Sequence, residues 1–223
     1  MASFLNTECT EDTERIEKEM TQRRRVNRGF AEKHGMIKNP GALTESLLII
    51  TGSMGAGKTS VLGEASDILA LRHIAHAAID LDALGVAHLP SASSNDGVMY
   101  RNLQSVCENY ASLGVRKVLL ARAVENHAEL ELCRSAVSAK GVVVCRLTAS
   151  IETMERRIKG RESGLSQREY VARVAKLNDI LDRARLEDFT ISNENRPLSE
   201  VAYEMLLKAG WISEGPTDNL EKR

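Results

Sequence analysis

At 223 residues with 43% hydrophobic content, the chain is long enough for one domain with a real core plus an extension. Its 30 basic and 31 acidic residues nearly cancel, to a net charge of −1, and only 4% of residues are aromatic. Neither a field that attracts nucleic acid or an anionic membrane nor a set of base-stacking platforms is available from that composition.

Residues 1–44 read as a charged, partly helical or disordered extension. Thr10 to Arg25 carries acids first (Glu11, Asp12, Glu14, Glu17, Glu19) and then bases (Arg23, Arg24, Arg25), with Arg28 beyond. That order suits a helix dipole, with Thr10 or Thr13 as N-cap. The apolar stripe of Ile16, Met20 and Val26 is thin, and Gly29, Gly35, Pro40 and Gly41 break any regular element. A solvated extension and a basic arm that touches a partner both remain open.

Leu47 to Thr51 is a continuous apolar run, the pattern of a strand buried on both faces. It runs into Gly52, Ser53, Met54, Gly55, Ala56, Gly57, Lys58, Thr59 and Ser60, which satisfy the phosphate-loop pattern G-x-x-x-x-G-K-S/T. Glycines at 52, 55 and 57 let backbone N–H groups approach phosphate oxygens. Lys58 is suited to the β- and γ-phosphates, Thr59 to Mg²⁺, and the helix that follows adds the positive end of its dipole. This is a nucleotide-phosphate site.

Lys58 to Arg72 is an amphipathic helix with Val61, Leu62, Ala65, Ile68 and Leu69 inward. Ile74 to Leu81 is the second strand, ending in Asp80-Leu81-Asp82. An extended strand would put both carboxylates on one face, one to hold Mg²⁺ through water and one to accept a proton from a substrate hydroxyl. Leu89 to Gly97 has loop composition. Asn102 to Leu113 is a helix with Leu103, Val106, Cys107 and Tyr110 inward, Arg116 to Ala121 a third strand, and Glu125 to Ser138 a helix. The third strand ends at Arg122, without the second Mg²⁺-binding acid of a hydrolytic ATPase. No guanine-reading N-K-x-D is present.

Gly141 to Leu147 is a β-branched strand, and Ser150 caps a helix bearing Met154 and Ile158. The interval Arg156, Arg157, Lys159, Arg161, with Gly160 and Gly164 around it, is expected to be a mobile lid loop over about 156–166. Its guanidiniums, Arg157 and Arg161 above all, would clamp the transferring phosphoryl group. Ser166 and Glu169 form a capping box for a longer helix with Tyr170, Val174, Leu177 and Leu181 on its apolar face. Arg173 on that helix would reach back to the nucleotide phosphates. Asp188 to Ser192 is a fifth strand, and Leu198 to Ala209 a last helix with Val201, Ala202, Met205 and Leu206 on one face, capped by Gly210. Residues 211–223 form a tail, fraying from Gly215. His88 and His127 read as surface or core histidines. Cys9, Cys107, Cys133 and Cys145 are scattered, as in a reduced cytoplasmic protein, and no apolar stretch approaches a membrane span. The first six residues are no signal peptide.

Strand–helix alternation from Leu47 predicts a three-layer α/β domain over 45–210 with a parallel sheet and its ligand at the carboxyl ends of the strands. Together the phosphate loop, the D-x-D after strand two, the arginines after strand four and the closing I-S-N-E-N-R-P-L-S-E-V-A-Y-E-M-L resemble the nucleoside-monophosphate-kinase-like P-loop phosphotransferases. Within that group the chain is similar to the shikimate, gluconate, adenylylsulfate and chloramphenicol kinases. The resemblance spans roughly Ser46 to Gly210. It implies a five-stranded P-loop NTPase fold of strand order 2-3-1-4-5 with a small lid, ATP and Mg²⁺ as cofactors, and a segment around Asn193 near the adenine. It also implies the roles above for Lys58, Thr59, Asp80, Asp82 and the lid arginines.

After Asp82 the chain reads A-L-G-V-A-H-L, lacking the arginine of adenylylsulfate kinases, and the G-G-G of shikimate kinases is missing. Arg101 or Arg122 is left to substitute. The expected activity is ATP-dependent phosphoryl transfer to a small hydroxylated metabolite, by a monomer or homodimer with no nucleic-acid or membrane partner. A nucleotide-binding regulatory module and a plain NTPase are the alternatives.

Overall fold

A computed structural model describes residues 44–86, 96–161 and 163–214. The extension expected before Thr44, His88, most of the loop expected over 89–97, and the tail from residue 215 lie outside the described residues.

The central strand is β1 (Thr44–Thr51). Leu47, Leu48, Ile49 and Ile50 are 0% exposed, which is why the run has no polar alternation: both of its faces are covered. Four further strands, β2 (Ala77–Asp80), β3 (Lys117–Ala121), β4 (Ala139–Thr148) and β5 (Phe189–Ser192), join it in a parallel sheet of order β2-β3-β1-β4-β5. The register runs Leu48 to Leu119 on one side and Leu48 to Val143 on the other. The described helices are α1 (Lys58–Leu71), α2 (Asp96–Ser112), α3 (His127–Val137), α4 (Ile151–Arg161), α5 (Gly164–Ala184) and α6 (Leu198–Lys208).

Strand alternation sends Leu48, Ile50, Leu119, Cys145 and Leu147 to one face, where α1, α4 and α6 cover them. Leu47, Ile49, Ile79, Val118 and Val144 point the other way, onto α2 and α3. That is the expected three-layer arrangement, with the P-loop kinase strand order. The buried faces of α1 and α6 are the sets read from helical period. Gly210, at φ +67, follows α6 as its cap, with Trp211 N–H donating to Leu206 O at 2.9 Å.

Several boundaries differ from expectation. β2 is shorter than Ile74 to Leu81: it ends at Asp80, and Asp82–Gly85 is a 3₁₀ turn. The two acids therefore do not share one extended strand. α2 begins at Asp96, inside the segment expected to be loop, and Tyr110 is 40% exposed rather than inward.

Among the described residues most of the expected lid loop is helix. α4 continues through Gly160 to Arg161, because a lone glycine costs a helix only about 1 kcal/mol against alanine and Met154 and Ile158 are packed in the core. α5 starts at Gly164 with Ser163 at the N-cap position, three residues before the start expected at Ser166. Buried Arg146 of β4 anchors the far end of α5, at 2.7 Å from Asp182 and 3.1 Å from Asn178 Oδ1. Cys107, Cys133 and Cys145 are free and buried, and burial pushes their thiols up to about 11–12, so they are unreactive structural residues.

Candidate active site

β1 delivers the phosphate loop to the carboxyl edge of the sheet, where it turns into α1 at Lys58. The loop's carbonyls are tied back into the protein. Lys58 Nζ donates to Gly52 O at 3.0 Å and Ser53 O at 3.1 Å. Arg157 donates to Gly55 O at 3.2 Å, and Asn193 Nδ2 to Ala56 O at 2.8 Å. Holding the carbonyls inward is what leaves a loop of this kind with N–H groups for an anion, at the positive end of α1. Ser53 Oγ donates to Val174 O at 2.9 Å and so joins the loop to α5.

A cleft of about 580 Å³ opens beside the loop. Of the predicted residues, Met54, Gly55, Gly57, Lys58, Thr59, Ser60, Asp80, Asp82, Arg161 and Arg173 line it. Thr59 Oγ1 donates to Asp80 Oδ2 at 2.6 Å, and Asp82 N–H donates to Asp80 Oδ1 at 3.2 Å. The 3₁₀ turn thus brings Asp80 and Asp82 to one cleft by a route other than strand alternation. Burial lowers the Lys58 ammonium to about 8, and the Asp82 and Asp80 carboxylates oppose that shift.

Arg157 and Asn193 are placed differently. Neither is among the cleft residues; Arg157 spans from Gly55 O to Asn193 O, at 2.6 Å from the latter, and Asn193 is 1% exposed. Together they are the floor of the loop rather than a clamp above it. Gly55 sits at φ +78, and a Cβ there would lie 2.4 Å from Met154 O. Arg156 donates to Thr153 Oγ1 at 3.1 Å.

One pairing and two residue roles escape sequence reasoning. Arg122, just past β3 and named above as one possible substitute for the missing arginine, is ion-paired with Asp82, so a guanidinium occupies the place where a second acid was looked for. Glu125 lines the cleft and pairs with Arg173 at 2.7 Å. Their partners are 40 and 48 positions away, and no local pattern announces either pair. Tyr170, assigned to the apolar face of its helix, lines the cleft as well.

Glu194 accepts from Ser150 Oγ and Thr153 Oγ1 at 2.7 Å and from Ser150 N–H at 2.8 Å, clipping the start of α4. Ser150 Oγ in turn accepts from Thr153 N–H at 3.2 Å, as expected of the cap. The Ser150 and Thr153 hydroxyls draw the Glu194 carboxyl from 4.5 down to about 2. A depressed acid stabilises the fold fully above its unfolded value, and that contribution fades as pH falls through the folded one. Glu194→Gln is therefore expected to lower Tm by a few degrees at pH 7, a gap that closes between pH 4.5 and 2 in thermal melts. A gap constant with pH would refute the assignment.

A parallel 2-3-1-4-5 sheet whose central strand feeds a G-x-x-x-x-G-K-T loop, with one carboxylate at the end of β2 and one just past it, has the fold of the P-loop kinases. Among solved structures the chain is similar to a gluconokinase from Sinorhizobium meliloti, at 18% identity over 76% of this chain and 94% of that one, TM-score 0.50. It is similar also to the APS kinase of Mycobacterium tuberculosis in complex with AMPPNP and APS, at 19% identity over 76% and 99%, TM-score 0.50. The tunicamycin resistance protein of Deinococcus radiodurans aligns at 16% identity over 74% and 96%, TM-score 0.52. No protein-family model and no curated protein sequence matches the chain. Among the described residues no helix is long and apolar enough to cross a membrane.

Proposed function

We propose that this protein is a phosphotransferase that moves the γ-phosphoryl group of ATP to a hydroxyl of a small metabolite. The observation that carries the proposal is the meeting of Lys58, Thr59–Asp80 and Asp82 in one cleft, beside a β3 followed by Arg122 rather than by a carboxylate. The arrangement has a base beside the phosphate loop and lacks the second strand-end acid of a hydrolytic motor.

In this reading residues 52–60 bind the triphosphate, with Lys58 and Arg161 offsetting the charge that spreads over the γ-oxygens. Asp82, oriented by Arg122, accepts the proton of the acceptor hydroxyl as its oxygen bonds to phosphorus and the bond to the β-phosphate oxygen breaks, releasing ADP. Asn193 and Arg157 act from beneath the loop, as positioning residues. Thr59 and Asp80 fit Mg²⁺: their hydroxyl and carboxylate oxygens are hard donors 2.6 Å apart. Bound there with the phosphates, Mg²⁺ would neutralise charge on the β- and γ-oxygens. Such a site uses few protein ligands, so it does not require a three-residue metal cluster, and none is found among the described residues.

The test is ATP consumption across a panel of hydroxylated metabolites against a no-acceptor control. Acceptor-dependent turnover is expected, and Asp82→Asn should cut it about 10²-fold or more while ATP binding by calorimetry is retained. Consumption equal to the control with every acceptor would favour plain hydrolysis, and undiminished transfer in Asp82→Asn would remove the base assignment.

A further inference from the structure

Beside Lys58, Arg161 and the Thr59–Asp80 pair, the cleft wall carries two acids already matched with two bases. Asp82 is paired with Arg122 and Glu125 with Arg173. The other cations of the cleft, Lys58 and Arg161, lie within electrostatic reach of one another, with Lys58 on the loop carbonyls. Resting on the phosphotransferase reading, we infer that the acceptor is an uncharged or amine-bearing hydroxyl compound, not one that carries a carboxylate, sulfate or phosphate.

With Arg161 assigned above to the γ-phosphate, an anionic acceptor that took Arg122 or Arg173 as its counter-ion would do so in competition with Asp82 or Glu125. Whichever guanidinium it took, a carboxylate, Asp82 or Glu125, would be left unpaired and facing the new anion, and like charges juxtaposed in a binding site are strongly disfavoured. If the triphosphate itself drew Arg173 away, Glu125 would be released into the same wall and the acceptor side would turn net negative. Both states of Arg173 thus select against an anion. A neutral polyol meets a different surface. Each ion pair offers it a carboxylate acceptor and guanidinium donors, and neither pair need break. An amine would find Glu125 once the triphosphate had drawn Arg173 away, with the ring of Tyr170 on the same cleft as an apolar or cation-binding face.

The experiment is labelled γ-phosphoryl transfer by the full chain to matched acceptors. Glucose, glucosamine, myo-inositol and uridine stand for the neutral and amine classes; gluconate, shikimate and adenylylsulfate stand for the anions. Transfer to at least one neutral or amine compound, with kcat/KM at least tenfold above any anion, is expected. In Glu125→Gln that preference should fall by about tenfold, because one of the two repelling carboxylates is gone. Transfer confined to the anions, or a preference unmoved by Glu125→Gln, overturns the inference and leaves phosphoryl transfer standing. Transfer to none of them overturns the phosphotransferase reading and the inference with it.

Discussion

Lys58→Ala is expected to lower acceptor-dependent turnover by about 10³-fold or more. Two effects add. The ammonium proposed to face the β- and γ-phosphates is lost from a half-buried site, where solvent screens it less than at the surface. The two hydrogen bonds to Gly52 O and Ser53 O go with it, so the loop loses part of what fixes its shape. Lys58→Arg tests the split, since it keeps the charge but changes head-group size and geometry. Steady-state kinetics with calorimetric nucleotide binding will read both. Turnover within tenfold of the parent in Lys58→Ala would show that the loop does not handle the reacting phosphates.

Gly55→Ala is expected to damage the fold itself, at a cost of about 3–5 kcal/mol. Its φ of +78 is strained for an L side chain, and the added Cβ would stand 2.4 Å from Met154 O and 2.9 Å from Met154 C. These are backbone atoms of α4, a helix fixed by buried Met154 and Ile158 and by the Glu194 clip. Neither side can give without the loop leaving α4. Urea denaturation should show a midpoint shift of more than 1 M at unchanged slope. A shift below 0.3 M would mean that the loop and helix have more room than their geometry indicates.

How far the sequence reaches depends on how local each cause is. The phosphate loop, the buried faces of α1 and α6 and the strand order were readable because each follows from a motif, a period or a family resemblance. The loop conformation expected of the lid segment was misread because Gly160, Arg157 and Arg161 look like punctuation and charge, while core packing at Ile158 keeps the segment helical. Asp80 and Asp82 were paired for the wrong reason: a turn, not an extended strand, brings them together. Arg122–Asp82 and Glu125–Arg173 join residues 40 and 48 positions apart, and only the fold brings them into contact.

The floor under the phosphate loop has a consequence for the order in which this protein is made. Ala56 O is held by Asn193, 137 positions downstream, and Gly55 O by Arg157, 102 positions downstream. A ribosome that has delivered the whole G-x-x-x-x-G-K-T segment has therefore delivered a loop without its support. The support arrives only when β5 docks on β4 and carries Asn193 under the loop. In the proposed reading, nucleotide capture would wait for that docking, and a bound triphosphate would report a molecule whose sheet is complete.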